Sequence, residues 1–120
     1  MIWFAVGVAG AAGAACRYVV DFLVTARTAG SYPVGTLVVN VSGSLLVGVV
    51  AGVVANRGAP GALTTVAGVG FAGSYTTFST LVYESWRLIE DGAYLRAATN
   101  MATILLGMAA AAAGWALTAL

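Results

Sequence analysis

Charge is what this sequence has least of. Its 120 residues include no histidine and no lysine, and the charged side chains are Arg17, Asp21, Arg27, Arg57, Glu84, Arg87, Glu90, Asp91 and Arg96. They make up 8% of the chain, where a soluble domain carries about 25%. With a net charge of +1 and no basic cluster, nothing offers the electrostatic footprint that nucleic acid requires, so nucleic acid is excluded as a partner. Without histidine, a carboxylate pair inside an apolar segment, or a nucleophile beside a base, the usual catalytic constellations are missing and the chain is not expected to be an enzyme. The one cysteine, Cys16, excludes an intrachain disulfide and a thiolate metal site. Proline is confined to Pro33 and Pro60, leaving long segments with no imposed break.

What fills the chain is apolar: hydrophobic residues account for 61%, above the 45–50% or so of soluble domains. A hydrocarbon core of roughly 30 Å takes about 20 helical residues to cross, and the uncharged gaps have that length. The expectation is an all-α membrane protein with one four-helix transmembrane domain spanning 1–120, set among membrane lipid. Helix one is expected over Ile2–Val24, too long an apolar run for a signal peptide and read as retained. Its Gly7, Gly10, Ala11, Gly13 and Ala14 form a small-residue stripe that invites close helix contact. Arg27, Gly30, Ser31 and Pro33 mark a connection, and helix two follows over Gly35–Val54 with a GxxxG pair at Gly48 and Gly52. Asn56, Arg57, Gly58, Pro60 and Gly61 mark the next connection, Glu90–Tyr94 the last, and helix four runs from Leu95 to the C-terminus.

Helix three, expected from Leu63 to Ile89, is the least ordinary stretch. Gly68, Gly70 and Gly73 interrupt it and are followed by Ser74, Tyr75, Thr76, Thr77, Phe78, Ser79 and Thr80. Irregular backbone at membrane depth survives only when buried in protein or facing a wet cavity, so these residues predict a broken helix with carbonyls free for an ion. The same glycines spell GxGxxG, but no strand precedes them and the dinucleotide reading fails.

Polar groups in lipid are costly and need partners or a purpose. Asn40 in helix two can donate amide hydrogens to an anion or join helices together. Thr99 and Thr103, with Asn100 between them, line one face of helix four as a polar track, or bond back to their own helix. Phe78 can meet an anion with the positive edge of its ring, or simply pack. Arg17 can pair with Asp21 across one turn or reach toward the interface. Glu84 can attract a cation or pair with an arginine.

Three segments carry a family resemblance: Gly10 to Tyr18 (GAAGAACRY), Gly35 to Gly43 (GTLVVNVSG) and Gly70 to Glu84 (GFAGSYTTFSTLVYE). Together they resemble the Fluc (CrcB) family of fluoride channels, over most of the chain. The resemblance implies passive fluoride export across the cell membrane by a multi-pass protein, an antiparallel, dual-topology dimer with two pores and a structural central sodium ion. It places Asn40, Phe78, Thr77 and Ser79 along the fluoride pore, to which the helix-four track of Thr99 and Thr103 is added as candidate pore lining, and it gives the backbone carbonyls of Gly73 and Thr76 to the metal. Arg17 and Glu84 also match family positions. Leu81 stands where the family usually has a second phenylalanine, and Tyr75 where it tends to an aliphatic residue. These departures put one pore in doubt, or leave its aromatic contact to another subunit. Arg27, Arg87 and Arg96 flank one side of the crossings and Arg57 alone the other, a bias that turns both termini outward. The second subunit is therefore a homodimer partner or an oppositely inserted homologue. Two rival readings are a small proton-coupled drug transporter, which needs a carboxylate deep in helix one, and a non-conducting structural subunit.

Overall fold

The computed structural model describes residues 1–30 and 32–120; Ser31, read as part of the first connection, lies outside the described residues. We label the helical segments α1 (Ile2–Arg27), α2 (Val34–Arg57), α3 (residues 61–75), α4 (Phe78–Glu90) and α5 (Tyr94–Thr118). No strand occurs among the described residues. Three helices, α1, α2 and α5, are long and apolar enough to cross a membrane. At 26, 24 and 25 residues each exceeds the 20 or so that a hydrocarbon core requires, so their ends reach the headgroup region.

Local chemistry sets the helix ends. Gly58, at φ 67°, takes the left-handed conformation that closes α2, its N–H bonding the Val53 carbonyl. Pro60 then precedes Gly61, the first residue of α3, where a missing N–H costs least. Helix two therefore runs about one turn further than the apolar pattern implied. Asn56 and Arg57, read as connection residues, remain helical because α5 supplies partners: Asn56 Nδ2 donates to Thr118 Oγ1 at 2.9 Å and Arg57 Nε to the Thr118 carbonyl at 3.2 Å.

Small residues set the packing. A Cβ on Gly48 would run into the Ala111 carbonyl, and one on Gly114 into the Leu45 carbonyl, so α2 and α5 pack backbone to backbone. The GxxxG pair of helix two thus acts as a packing device, with Gly52 against Trp115 and Thr118. On α1, Gly10 and Gly13 meet Ser74 and Phe71 of α3, while Gly7 has nothing within 4 Å. Close approach is reciprocal: a Cβ on Gly70 would lie 3.0 Å from the Val6 carbonyl oxygen. Outside these contacts most large apolar side chains are exposed, among them Trp3, Phe4, Phe22, Leu105 and Met108, the outer face expected where lipid is the solvent.

The glycines of α3 do not interrupt the helix. Thr64–Ala72 stays helical with a widened, π-type turn, and Gly73–Tyr75 returns to α geometry. Extended backbone comes later, at Thr76 (ψ 158°) and Thr77 (φ −148°, ψ 119°). Thr77 then caps α4, its side-chain oxygen accepting from the Thr80 N–H at 3.3 Å.

Candidate functional site

The turn at Thr76 and Thr77 lies against α2, and Asn40 holds it there. Asn40 Oδ1 accepts the Thr77 N–H at 2.7 Å, and Asn40 Nδ2 donates to the Thr77 carbonyl at 2.8 Å. In a continuous helix that N–H would bond the Gly73 carbonyl four residues back. Diverting it satisfies both backbone groups of an extended residue, which at this depth have no other helical partner. Asn40 is thus helix glue of a specific kind. Its amide nitrogen carries two hydrogens and the Thr77 carbonyl takes one, so one donor remains.

Beside this clamp lies a cavity of about 330 Å³ between α2, the turn, α4 and α5. It gathers Asn40, Thr76, Thr77, Phe78 and Thr103 from the candidate residues, together with Leu81, and adds Ser44. Ser44 was missed, though its place four residues after Asn40 put it on the same helical face. Phe78, at the start of α4, is 65% exposed, so its ring is not held in the core of this chain. Leu81, where the resemblance expects a second aromatic, is 2% exposed and contributes to the cavity wall.

The remaining candidates are placed differently. Ser79 is exposed and lies off the cavity, its hydroxyl 3.4 Å from Thr77 Oγ1. Thr99 is exposed too, and its hydroxyl donates to the Arg96 carbonyl at 3.0 Å. Thr103 lines the cavity but donates to the Asn100 carbonyl at 2.6 Å, so its hydrogen points along its own helix. The helix-four track is therefore represented at the cavity by Thr103 and not by Thr99. Asn100 faces α4 instead, fully buried, with Nδ2 donating to Ser85 Oγ at 3.0 Å and to the Leu81 carbonyl at 3.3 Å.

Arg17 neither pairs with Asp21 nor turns outward: its Nη1 lies 3.5 Å from the Thr76 carbonyl oxygen. Glu84 accepts a hydrogen bond from Thr36 Oγ1 at 2.7 Å, joining α4 to α2. Among the described residues no cluster of acidic, histidine or cysteine side chains could hold a metal. Backbone oxygen is the alternative. The Gly73 carbonyl has lost the Thr77 N–H to Asn40, and the Thr76 carbonyl sits at the helix end. Carbonyl oxygens are the ligands that hard cations take, so this donor set fits sodium in kind. These are the two carbonyls that the resemblance gives to the metal, and the Arg17 guanidinium already faces the second.

Long apolar helices with arginines at their ends, and polar groups gathered around a cavity open to the outside, define a helical membrane protein. Residues 4–115 match the model of the family described as CrcB-like protein, Camphor Resistance (CrcB), and the chain belongs to that family. It is 45% identical over 124 aligned residues to the fluoride-specific ion channel FluC 1 of Frankia casuarinae, covering 98% of this chain and 95% of that one. It is 40% identical over 116 residues to FluC 2 of Moorella thermoacetica, covering 96% and 94%. Against FluC 2 of Mycobacterium tuberculosis it is 41% identical over 114 residues, covering 94% and 87%.

Proposed function

We propose that this chain is a subunit of a fluoride-selective channel that lets fluoride leave the cytoplasm passively through the cell membrane. The observation that carries the reading is the cavity at the Asn40–Thr77 clamp, in a chain whose relatives are named fluoride-specific ion channels. Hydrogen fluoride enters cells neutral and ionises inside, so a selective leak for the anion lowers its level without fuel. Selectivity needs donors that replace the hydration shell in a space too narrow for larger ions. The spare Asn40 N–H, the Ser44 hydroxyl and the edge of Phe78 are such groups, with Thr103 contributing once its hydroxyl rotates off the Asn100 carbonyl.

In this reading α3 and α4 together make a fourth crossing, broken at Thr76–Thr77, so the protein passes the membrane four times. Two subunits insert in opposite orientations. Sodium would be held by the Gly73 and Thr76 carbonyls of both and would supply fixed positive charge there. Two carbonyls alone fall short of the oxygen shell that a hard cation takes, which supports a paired site. The outward-facing Phe78 supports a pore wall completed by a second subunit. A homologue as partner gains support from Leu81 in place of a ring, and from the arginine bias, with Arg27, Arg87 and Arg96 against Arg57. The drug-transporter reading has less support, because the one acidic residue of α1, Asp21, lies in its C-terminal part and meets Thr25 Oγ1 at 3.5 Å.

The test is efflux from liposomes loaded with fluoride or chloride, using the chain alone and the chain mixed with a homologue. Fluoride efflux with chloride retained supports the proposal. Retention of both ions under every pairing returns the chain to the structural reading, and proton-coupled uptake of a lipophilic cation favours the transporter.

A further inference from the structure

Residues 40–43 of α2 hold the Tyr75–Thr77 segment at three successive points. Asn40 takes both backbone groups of Thr77. Gly43 leaves room for the Thr76 methyl group and the Tyr75 ring, which a Cβ there would strike. Between them, Ser42 Oγ lies 3.0 Å from Tyr75 Oη. Ser42 also lies 2.6 Å from the Val38 carbonyl oxygen, which can only accept, so the serine hydrogen is committed there and Tyr75 is the donor.

The Tyr75 ring is held from other sides as well. It is 9% exposed and stacks on Phe71 with centroids 5.9 Å apart and planes 12° from parallel. Phe71 in turn sits where α3 approaches Gly13 of α1. Tyr75 is the last helical residue before the extended pair. Fixing its hydroxyl to α2 therefore fixes where the chain leaves the helix. That choice of residue sets which carbonyls are released and whether the Thr77 backbone meets the Asn40 amide.

We infer that Tyr75 is a positioning residue, acting through Ser42 to set the register of the Thr76–Thr77 turn on α2 and so the aim of the Asn40 amide into the cavity. The role rests on the channel reading for its consequence in fluoride conduction; the register itself does not. A phenylalanine would fill the same space and keep the stack on Phe71, but it would remove one of the three points that hold the helix end on α2 and so loosen its register. The hydroxyl thus has a function separable from packing.

The experiment compares the unmodified protein with Tyr75→Phe, Ser42→Ala and the double variant in liposomes and in detergent. Four quantities are read: fluoride efflux per reconstituted channel, fluoride-over-chloride selectivity, hydrogen exchange of the Thr77 amide, and the melting temperature. Loss of one hydrogen bond of usual net strength is expected to slow efflux and speed Thr77 exchange about threefold to tenfold. Selectivity should fall, and the double variant should be no worse than either single one. Tyr75→Phe with native exchange at Thr77 overturns the inference, as does a lowered melting temperature with efflux and selectivity unchanged. If Tyr75→Phe does not fold, Ser42→Ala, which leaves the ring in place, decides by the same readings. An unmodified protein that conducts no fluoride defeats the channel reading instead, and the Thr77 exchange rate then decides the register alone.

Discussion

Replacing Asn40 by alanine removes two hydrogen bonds at once, and the structure bounds the cost. Both partners are backbone groups of Thr77, at 2.7 and 2.8 Å, in a segment with no helical ladder to fall back on. If both groups stayed dry, each would cost about 1–3 kcal/mol. Side-chain hydrogen bonds measured within a membrane protein average about 0.6 kcal/mol and reach about 1.7. The cavity decides between these ranges. Asn40 and Thr77 both line it, so water can reach the orphaned groups, and the loss should be about 1–3 kcal/mol for the pair. Reversible unfolding in mixed micelles reads the stability, and liposome efflux of fluoride reads the function. Efflux should fall by at least about tenfold, because the turn loses its register and the cavity loses a donor. Asn40→Asp refines the test. It can still accept from the Thr77 N–H, but it faces the Thr77 carbonyl and any entering anion with negative charge. Its efflux should therefore be lower than that of Asn40→Ala, although it retains one of the two bonds. Stability within about 0.5 kcal/mol of the unmodified protein, together with unchanged efflux, would refute the clamp and the donor role alike.

Gly114→Val should destabilise by about 3 kcal/mol, at the upper end of overpacking costs, because the new side chain meets the backbone of α2 at Leu45 and Val49. Gly7→Ala, with open space around it, should stay within about 0.5 kcal/mol, and detergent melting curves compare the two. Thr103→Val should slow fluoride efflux about threefold, the effect of one modest hydrogen bond, with little change in stability. Thr99→Val, exposed and off the cavity, should conduct normally, and equal effects from the two would remove the cavity as the pathway. Phe78→Ala should leave the fold of the subunit intact, since the ring is 65% exposed, while efflux falls about tenfold; native efflux would dismiss the ring-edge contact.

Much of the architecture was legible because lipid and helix geometry leave few choices. The lengths of the apolar runs located α1, α2 and α5, and Gly48 and Gly52 marked the face on which α5 packs. The features that escaped depend on tertiary partners. The stretch from Gly68 to Thr80 was read as broken without fixing the residue, but glycine also permits close approach, and Gly70 uses that property against Val6 and Ala9 while its backbone stays helical. Extended backbone falls instead on Thr76 and Thr77, where a β-branched residue is at ease and where Asn40 can satisfy what the helix gives up. The local run of hydroxyls marked the stretch but not the residue, because the deciding amide is 37 residues away in the chain. Arg17 shows the same limit: its i,i+4 neighbour Asp21 was visible, and the Thr76 carbonyl, 59 residues on, was not.

The polar side chains of this chain are satisfied mostly by its own backbone, and that bears on how an anion could be held. Thr76 donates back to the Ala72 carbonyl, Ser42 to the Val38 carbonyl and Thr103 to the Asn100 carbonyl, each within its own helical segment. Asn40 spends one of its amide hydrogens on Thr77. What remains for a ligand in the cavity is a short supply of donors around an apolar wall that includes Leu81, Ile104 and Met108. Such a wall cannot compensate the dehydration of an anion from one subunit alone. Either the donors already committed must rotate toward the ion, which Thr103→Val against Thr99→Val would register, or further groups must come from a second surface across the cavity mouth. The second alternative also accounts for Phe78, a ring left largely outside the subunit's own core, and it makes conduction depend on which partner supplies the other wall.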